Sequence, residues 1–267
     1  MEADSLNAAV LGPDVERESK TYDLFLLEVQ REMTQKAGQK CTATRRIFVP
    51  EGLVEAVRDD LVEQMRKTRV GCPGPREVTM GPLATAPQLT DVREGIELLS
   101  RFAERIHGDD GGAELQGVEE PKGFFARPTL FYAADARKAA DVHDHEVFGP
   151  AQTLMPYDGT AEEASELVNL GGGGLVAGIY SDDRSFIRRM ILACASHHGR
   201  LHIAREKIAD HSSGSGAVLP QMLHGGPGRA GGGQELGGLR GLELYMQRTA
   251  VQGLKPLLEK LLELEPE

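Results

Sequence analysis

The residues of this chain best suited to nucleophilic chemistry are three cysteines, Cys41, Cys72 and Cys194. They stand far apart, their number is odd and no CxxC pair occurs, which argues against a disulfide framework or a zinc site. Cys41 is set apart by what precedes it. Gly38 interrupts a run of apolar residues at helical spacing, and Gly38-Gln39-Lys40-Cys41 reads as a turn or a second helix start. A thiol on such a turn is accessible, and nearby backbone N–H groups favour the thiolate, the species that attacks a carbonyl. The plain alternative is a buried structural cysteine. Other clusters promise less. His143-Asp144-His145 lacks further ligands at suitable spacing, so a solvated turn is expected there rather than a metal site. Gly226 to Gly231 satisfies G-x-G-x-x-G, but no strand precedes it and no helix opens at its end. Gly171 to Gly174 leads into a strand, the wrong order for a phosphate loop.

The elements that must position Cys41 follow from periodicity. Tyr22, Phe25, Leu26, Val29 and Met33 predict a helix ending near Gly38, and residues 45–49 a strand stopped by Pro50. Leu53, Val57, Leu61 and Met65 predict a second helix, followed by a loop over 72–87 and a helix from about 86 to 106. Strands are expected at 124–132, 153–155, 175–180 and 200–203. Helices are expected at 161–168 and at 182–196, the latter capped by Asp182. Residues 212–241 form a glycine-dominated loop, Tyr245 to Val251 is a late strand candidate, and an amphipathic helix closes the chain. The alternation predicts an α/β domain with a mostly parallel sheet. The division expected is 1–241, a late strand segment at 242–253 and a tail at 254–267.

Composition bounds the possibilities. The 267 residues fit one large domain or two small ones, and 40% hydrophobic content supports a sizeable core. A formal net charge of -11 opposes binding to nucleic acid or to an anionic membrane surface. No apolar run is long enough to span a bilayer, and the first residues lack a secretory pattern, so a cytoplasmic location is expected.

Several motifs in order resemble those of the aldehyde dehydrogenase superfamily. Gly38-Gln39-Lys40-Cys41 is similar to its nucleophile turn, and Glu146-Val147-Phe148-Gly149-Pro150 to its Glu-x-Phe-Gly-Pro motif. Leu175 to Tyr180 resembles its Gly-Leu-x-Ala-Gly-Val-Phe strand, and Gly225 to Gly231 stands where the family has a glycine-rich loop. Together the matches span about residues 1 to 253. Residues 2–7, 36–43, 224–238 and 245–253 are closest to one branch, the dehydrogenase domain of bifunctional ring-opening enzymes of phenylacetate degradation. The resemblance implies the family's catalytic domain, oxidation of an aldehyde, here a CoA-linked semialdehyde, and NADP or NAD as hydride acceptor. It implies that Cys41 is the nucleophile, that Glu2 is the general base, and that the Cys41 backbone N–H serves the oxyanion. It places Glu146 at the nicotinamide ribose, Phe148 beside the nicotinamide, and the late strand at a homo-oligomer interface.

The resemblance also implies departures. The dinucleotide-binding half that the family carries upstream is expected to be absent, together with a second oxyanion donor, and the branch's hydratase domain has no counterpart. The expectation is therefore the catalytic part of an NAD(P)-dependent aldehyde dehydrogenase, inactive alone, as a homo-oligomer or beside a partner carrying the missing half. Two other readings compete with it. One is a non-catalytic fragment or assembly module of a split or truncated enzyme. The other is a cysteine esterase, which needs Cys41 but no dinucleotide.

Overall fold

The computed structural model describes residues 3–108, 115–118, 122–219, 222–231, 242, 245–247 and 249–262. Its centre is set by the most apolar short runs. Strands β1 (Ala8–Leu11), β2 (Arg46–Pro50), β5 (Ala151–Tyr157) and β6 (Gly174–Tyr180) are buried almost throughout. Such runs suit a sheet covered on both faces. With β3 (Glu104–His107), β4 (Thr129–Tyr132) and β7 (His198–Ala204) they form one seven-stranded sheet, in the order β3-β4-β5-β2-β1-β6-β7. All neighbours are parallel except β3, which runs antiparallel to β4 at the edge.

Side chains that alternate along each strand feed two separate cores. Ala9 and Leu11 of β1 and Ile47 and Val49 of β2 meet helices α1 (Lys20–Thr34) and α2 (Val54–Arg66) on one face. Ala8, Val10 and Phe48 point to the other face, which is covered by α3 (Ala86–Leu99), α4 (Ala161–Asn169) and α5 (Arg184–Cys194). The result is the expected α/β domain, three layers deep with a mostly parallel sheet. A short helix α6 (Lys255–Leu262) follows near the C-terminus.

Several details differ from the expectations, and the strand expected at 124–132 forms only over Thr129–Tyr132. The helix expected to reach about 106 stops at Leu99, and the alternating Glu104–His107 pairs with β4 instead. β1 carries no strong β-former apart from Val10, yet it lies between β2 and β6 because small alanines fit where both faces are covered. Asp183, not Asp182, caps α5 by accepting from Ser185 N, while Asp182 accepts a hydrogen bond from the Thr21 hydroxyl. The described residues of 245–251 pair with no strand of the sheet, and Tyr245 is 89% exposed. Residues 232–241 of the glycine-rich stretch lie outside the described residues.

Candidate active site

The parallel strands present their amino ends to one side, and the segments just before them build a single cluster there. Asn7 precedes β1, Arg45 precedes β2, and Glu146 and Phe148 precede β5. This is the opposite end from the crevice that open α/β sheets usually use for ligands.

Cys41 reaches this position through an abrupt change of direction. After α1, Lys36, Ala37 and Gly38 all adopt left-handed conformations, with φ of 54°, 52° and 71°. At Gly38 a side chain is excluded twice over, by that φ and because a Cβ would lie 2.2 Å from the carbonyl oxygen of Gly149. The Cys41 turn is thereby pressed against residues 146–150. Arg45 holds the two together. Its Nε donates to Glu146 Oε1 at 3.0 Å, Nη1 to Gly149 O at 2.8 Å and Nη2 to Gly38 O at 3.0 Å. Burial pushes the Glu146 carboxyl up, and Arg45, with the Ser5 N–H at 2.9 Å from Oε2, opposes that push. The guanidinium also lies 5.5 Å from the centre of the Phe148 ring. Asn7, fully buried, donates to the carbonyls of Cys41 at 2.8 Å and Ala43 at 3.0 Å, and accepts from Val176 N at 3.0 Å.

Cys41 opens into a cavity of about 490 Å³ lined by Ala3, Asp4, His145, Glu146 and Phe148. His224 Nε2 lies 3.5 Å from Cys41 Sγ. The glycine-rich loop that carries His224 also clamps the N-terminal segment. Arg229 pairs with Asp4 and its carbonyl accepts from Ala3 N at 2.9 Å. Of the other thiols, Cys72 is exposed on a loop, and burial pushes Cys194 up to about 12.

The aldehyde dehydrogenase family matches residues 7–251. This chain belongs to the aldehyde dehydrogenase family. It is 38% identical over 227 residues to the 3,4-dehydroadipyl-CoA semialdehyde dehydrogenase of Aromatoleum evansii, covering 85% of this chain and 44% of that protein. It is 43% identical over 180 residues to Protein MaoC of Klebsiella aerogenes, covering 67% of this chain and 52% of that one. The chain thus spans about half the length of these curated relatives. Betaine aldehyde dehydrogenase of Staphylococcus aureus superposes with a TM-score of 0.75 at 22% identity, over 91% of this chain and 45% of its own. A 3,6-anhydro-L-galactose dehydrogenase solved in complex with NAP superposes with a TM-score of 0.76 at 23% identity, over 92% and 47%. These two likenesses show the fold.

Within this aldehyde dehydrogenase domain, Cys41, Glu146 and Phe148 come together around one cavity. Glu2 lies outside the described residues, while Ala3 and Asp4, its neighbours in sequence, line that cavity. The expected solvated turn at 143–145 needs correction at His143. That ring is buried, receives a hydrogen bond from Arg46 at 3.0 Å and donates through Nε2 to Ala136 O at 2.7 Å. Among the described residues no group of three or more His, Cys, Asp or Glu could hold a metal. Gly171 and Gly173 serve packing. A Cβ on the first would strike Arg46, and one on the second the carbonyl of Pro227. Sequence reasoning gave no role to Asn7, Arg45 or His224. The doubled arginine after the cysteine turn and the histidine before the double glycine were the available signals.

Proposed function

We propose that this chain carries the acyl-forming centre of an NAD(P)-linked aldehyde dehydrogenase, and that its substrate is a CoA-linked semialdehyde. The observation that carries the reading is the convergence of Cys41, Glu146 and Phe148 on one open cavity in a chain of this family. The name of the Aromatoleum evansii relative supports the substrate class.

Cys41 attacks the aldehyde carbon as thiolate, giving a thiohemiacetal on sulfur. Its backbone N–H donates to the oxyanion. Loss of hydride leaves a thioester on Cys41, and water activated by Glu2 releases the acid and restores the thiol. A bound nicotinamide supplies the hydride acceptor. The residues present fit one end of such a cofactor. Phe148 is 40% exposed and offers a ring face beside the cavity. The Glu146 oxygens, fixed by Arg45 and Ser5 N–H, keep lone pairs for a ribose hydroxyl. With the rest of the cofactor site read as lying outside residues 1–267, these residues by themselves are expected to turn over slowly or not at all. A second reading, an assembly module, is favoured by the exposed Tyr245, Met246 and Val251, which would form a strand only against another copy.

Acyl transfer can be tested without cofactor. Mixed with an activated acyl ester such as a p-nitrophenyl ester, the chain is expected to release about one equivalent of nitrophenol and to carry the acyl group on Cys41 in peptide mass maps, with none in Cys41→Ser. An acyl group on Cys72, or no burst, contradicts the proposal.

A further inference from the structure

We propose that His224 is a catalytic base of the Cys41 centre, its Nε2 taking the thiol proton to leave a thiolate–imidazolium pair. The inference rests on the reading of Cys41 as nucleophile and adds the group that prepares it. The Sγ to Nε2 separation of 3.5 Å is within hydrogen-bond reach for sulfur. The S–H bond breaks, an N–H bond forms, and no electrons change hands. The imidazolium returns its proton when the thioester is cleaved and the thiol reforms.

The ring is held in place by its own loop. His224 is only 7% exposed, and the two glycines after it are buried against β6 and β7. A Cβ on Gly199 would come within 1.5 Å of Gly225 O, and one on Gly226 within 2.3 Å of Gly174 O. The loop is closed by Gly226 N donating to Ala230 O at 3.2 Å and is tied to Asp4 through Arg229. An imidazole carried on so constrained a backbone has little freedom to leave the sulfur.

The surrounding charges favour the ion pair. Arg45 from the β2 side and Arg200 from β7 both interact electrostatically with Cys41. Asp4, His145 and Glu146 line the same cavity as Cys41. Glu146 is matched by Arg45, Asp4 by Arg229, and the nearby Glu32 by Lys40. Arg200, which donates to Ser215 O at 2.6 Å, is then the charge left to favour a thiolate.

The test measures the iodoacetamide alkylation rate of Cys41 in the full chain between pH 6 and 9, resolved by peptide mapping, in wild type and His224→Gln. An ordinary thiol with a pKa of about 8.5 loses roughly 75-fold of its thiolate from pH 8 to pH 6. Wild-type Cys41 is expected to slow by less than about tenfold over that interval, and His224→Gln to follow the steep decline. Coincident profiles in wild type and folded His224→Gln overturn the inference while leaving Cys41 as nucleophile. Failure to label Cys41 at all removes the reading beneath it. If circular dichroism shows that His224→Gln does not fold, the wild-type chain decides. In histidine-labelled protein, alkylation of Cys41 must move the titration midpoint of the assigned His224 ring resonances, and an unmoved midpoint overturns the inference.

Discussion

Asn7 gathers four hydrogen bonds on one buried side chain, donating to the carbonyls of Cys41 and Ala43 and accepting from Val176 N and the Ser5 hydroxyl. It therefore fixes the Cys41 turn to β1 and β6 together. Asn7→Ala leaves buried carbonyls and an amide without partners, and is expected to cost about 2–4 kcal/mol in urea unfolding and to slow acylation of Cys41. Asn7→Asp keeps the shape but cannot donate, so it should cost a similar amount. A folded Asn7→Ala with unchanged unfolding midpoint and acylation rate would show that the turn is held by other contacts. Glu146 works differently. Its pairing with Arg45 is buried, and such pairs add little net stability. What the pair supplies is shape, since Arg45 also reaches both Gly38 and Gly149. Glu146→Gln leaves a buried guanidinium without its anion and is expected to destabilise by about 3–5 kcal/mol, read in the same urea titration.

Among the elements, β1 and β2 are tied to α4 by one buried cation. Arg46 donates to Leu6 O at 2.7 Å, to Val168 O at 2.8 Å and to His143 Nδ1 at 3.0 Å, with burial pushing it down to about 9. The carbonyls of Leu167 and Val168 belong to the last turn of α4, where the helix favours positive charge. Lysine cannot reproduce that fan of donors, so Arg46→Lys is expected to cost about 2–4 kcal/mol by thermal or urea unfolding. His143 and His198 share this region, and burial pushes each down to about 4. In the unfolded chain a histidine titrates near 6.5, so between about pH 6.5 and 4 the unfolded state binds more protons. The stability from these two rings is complete above pH 6.5 and is lost as the pH falls toward 4, on the order of 3 kcal/mol each. Urea midpoints from pH 7 to 4.5 should fall steeply, and less steeply in His143→Gln. A flat profile contradicts the burial of these rings as neutral species. The long amphipathic helices and the alternating strand at 200–203 were legible because their periodicity is the physical cause of their packing, and the strand at 175–180 because its apolar run is long enough to stand out without a period. The Ala-Ala-Val-Leu run of β1 was not, because a four-residue strand covered on both faces has no period to read. The three charges and amides that brace the site, Asn7, Arg45 and Arg46, were hidden for a related reason. Their partners lie in segments far away in sequence, and only the topology brings those together.

For the whole molecule, the two halves of the chemistry separate. Cys41, Glu146 and Phe148 lie around one cavity of this chain, which matches about half the length of its curated relatives, and the proposed reading gives this chain the cysteine chemistry and only part of the cofactor site. Residues 1–267 are accordingly expected to give negligible NADP- or NAD-linked oxidation of a CoA-linked semialdehyde, measured by reduced-cofactor absorbance. Sustained turnover would show that the cofactor is held by groups other than Glu146 and Phe148. The exposed late segment carries the second expectation at this scale. Tyr245, Met246 and Val251 are apolar and unburied, and are expected to pair chain with chain. Light scattering over a concentration series should show a mass above the monomer, reduced by Val251→Lys. A monomeric mass at every concentration contradicts that association.

Whether Cys41 is the nucleophile is decided by limiting alkylation of the native chain with iodoacetamide, followed by peptide mapping of all three cysteines. Cys41 is expected to be modified first, ahead of the more exposed Cys72, with the buried Cys194 reacting only on unfolding. Preferential labelling of Cys72, or equal labelling of Cys41 and Cys72 in proportion to exposure, would contradict it.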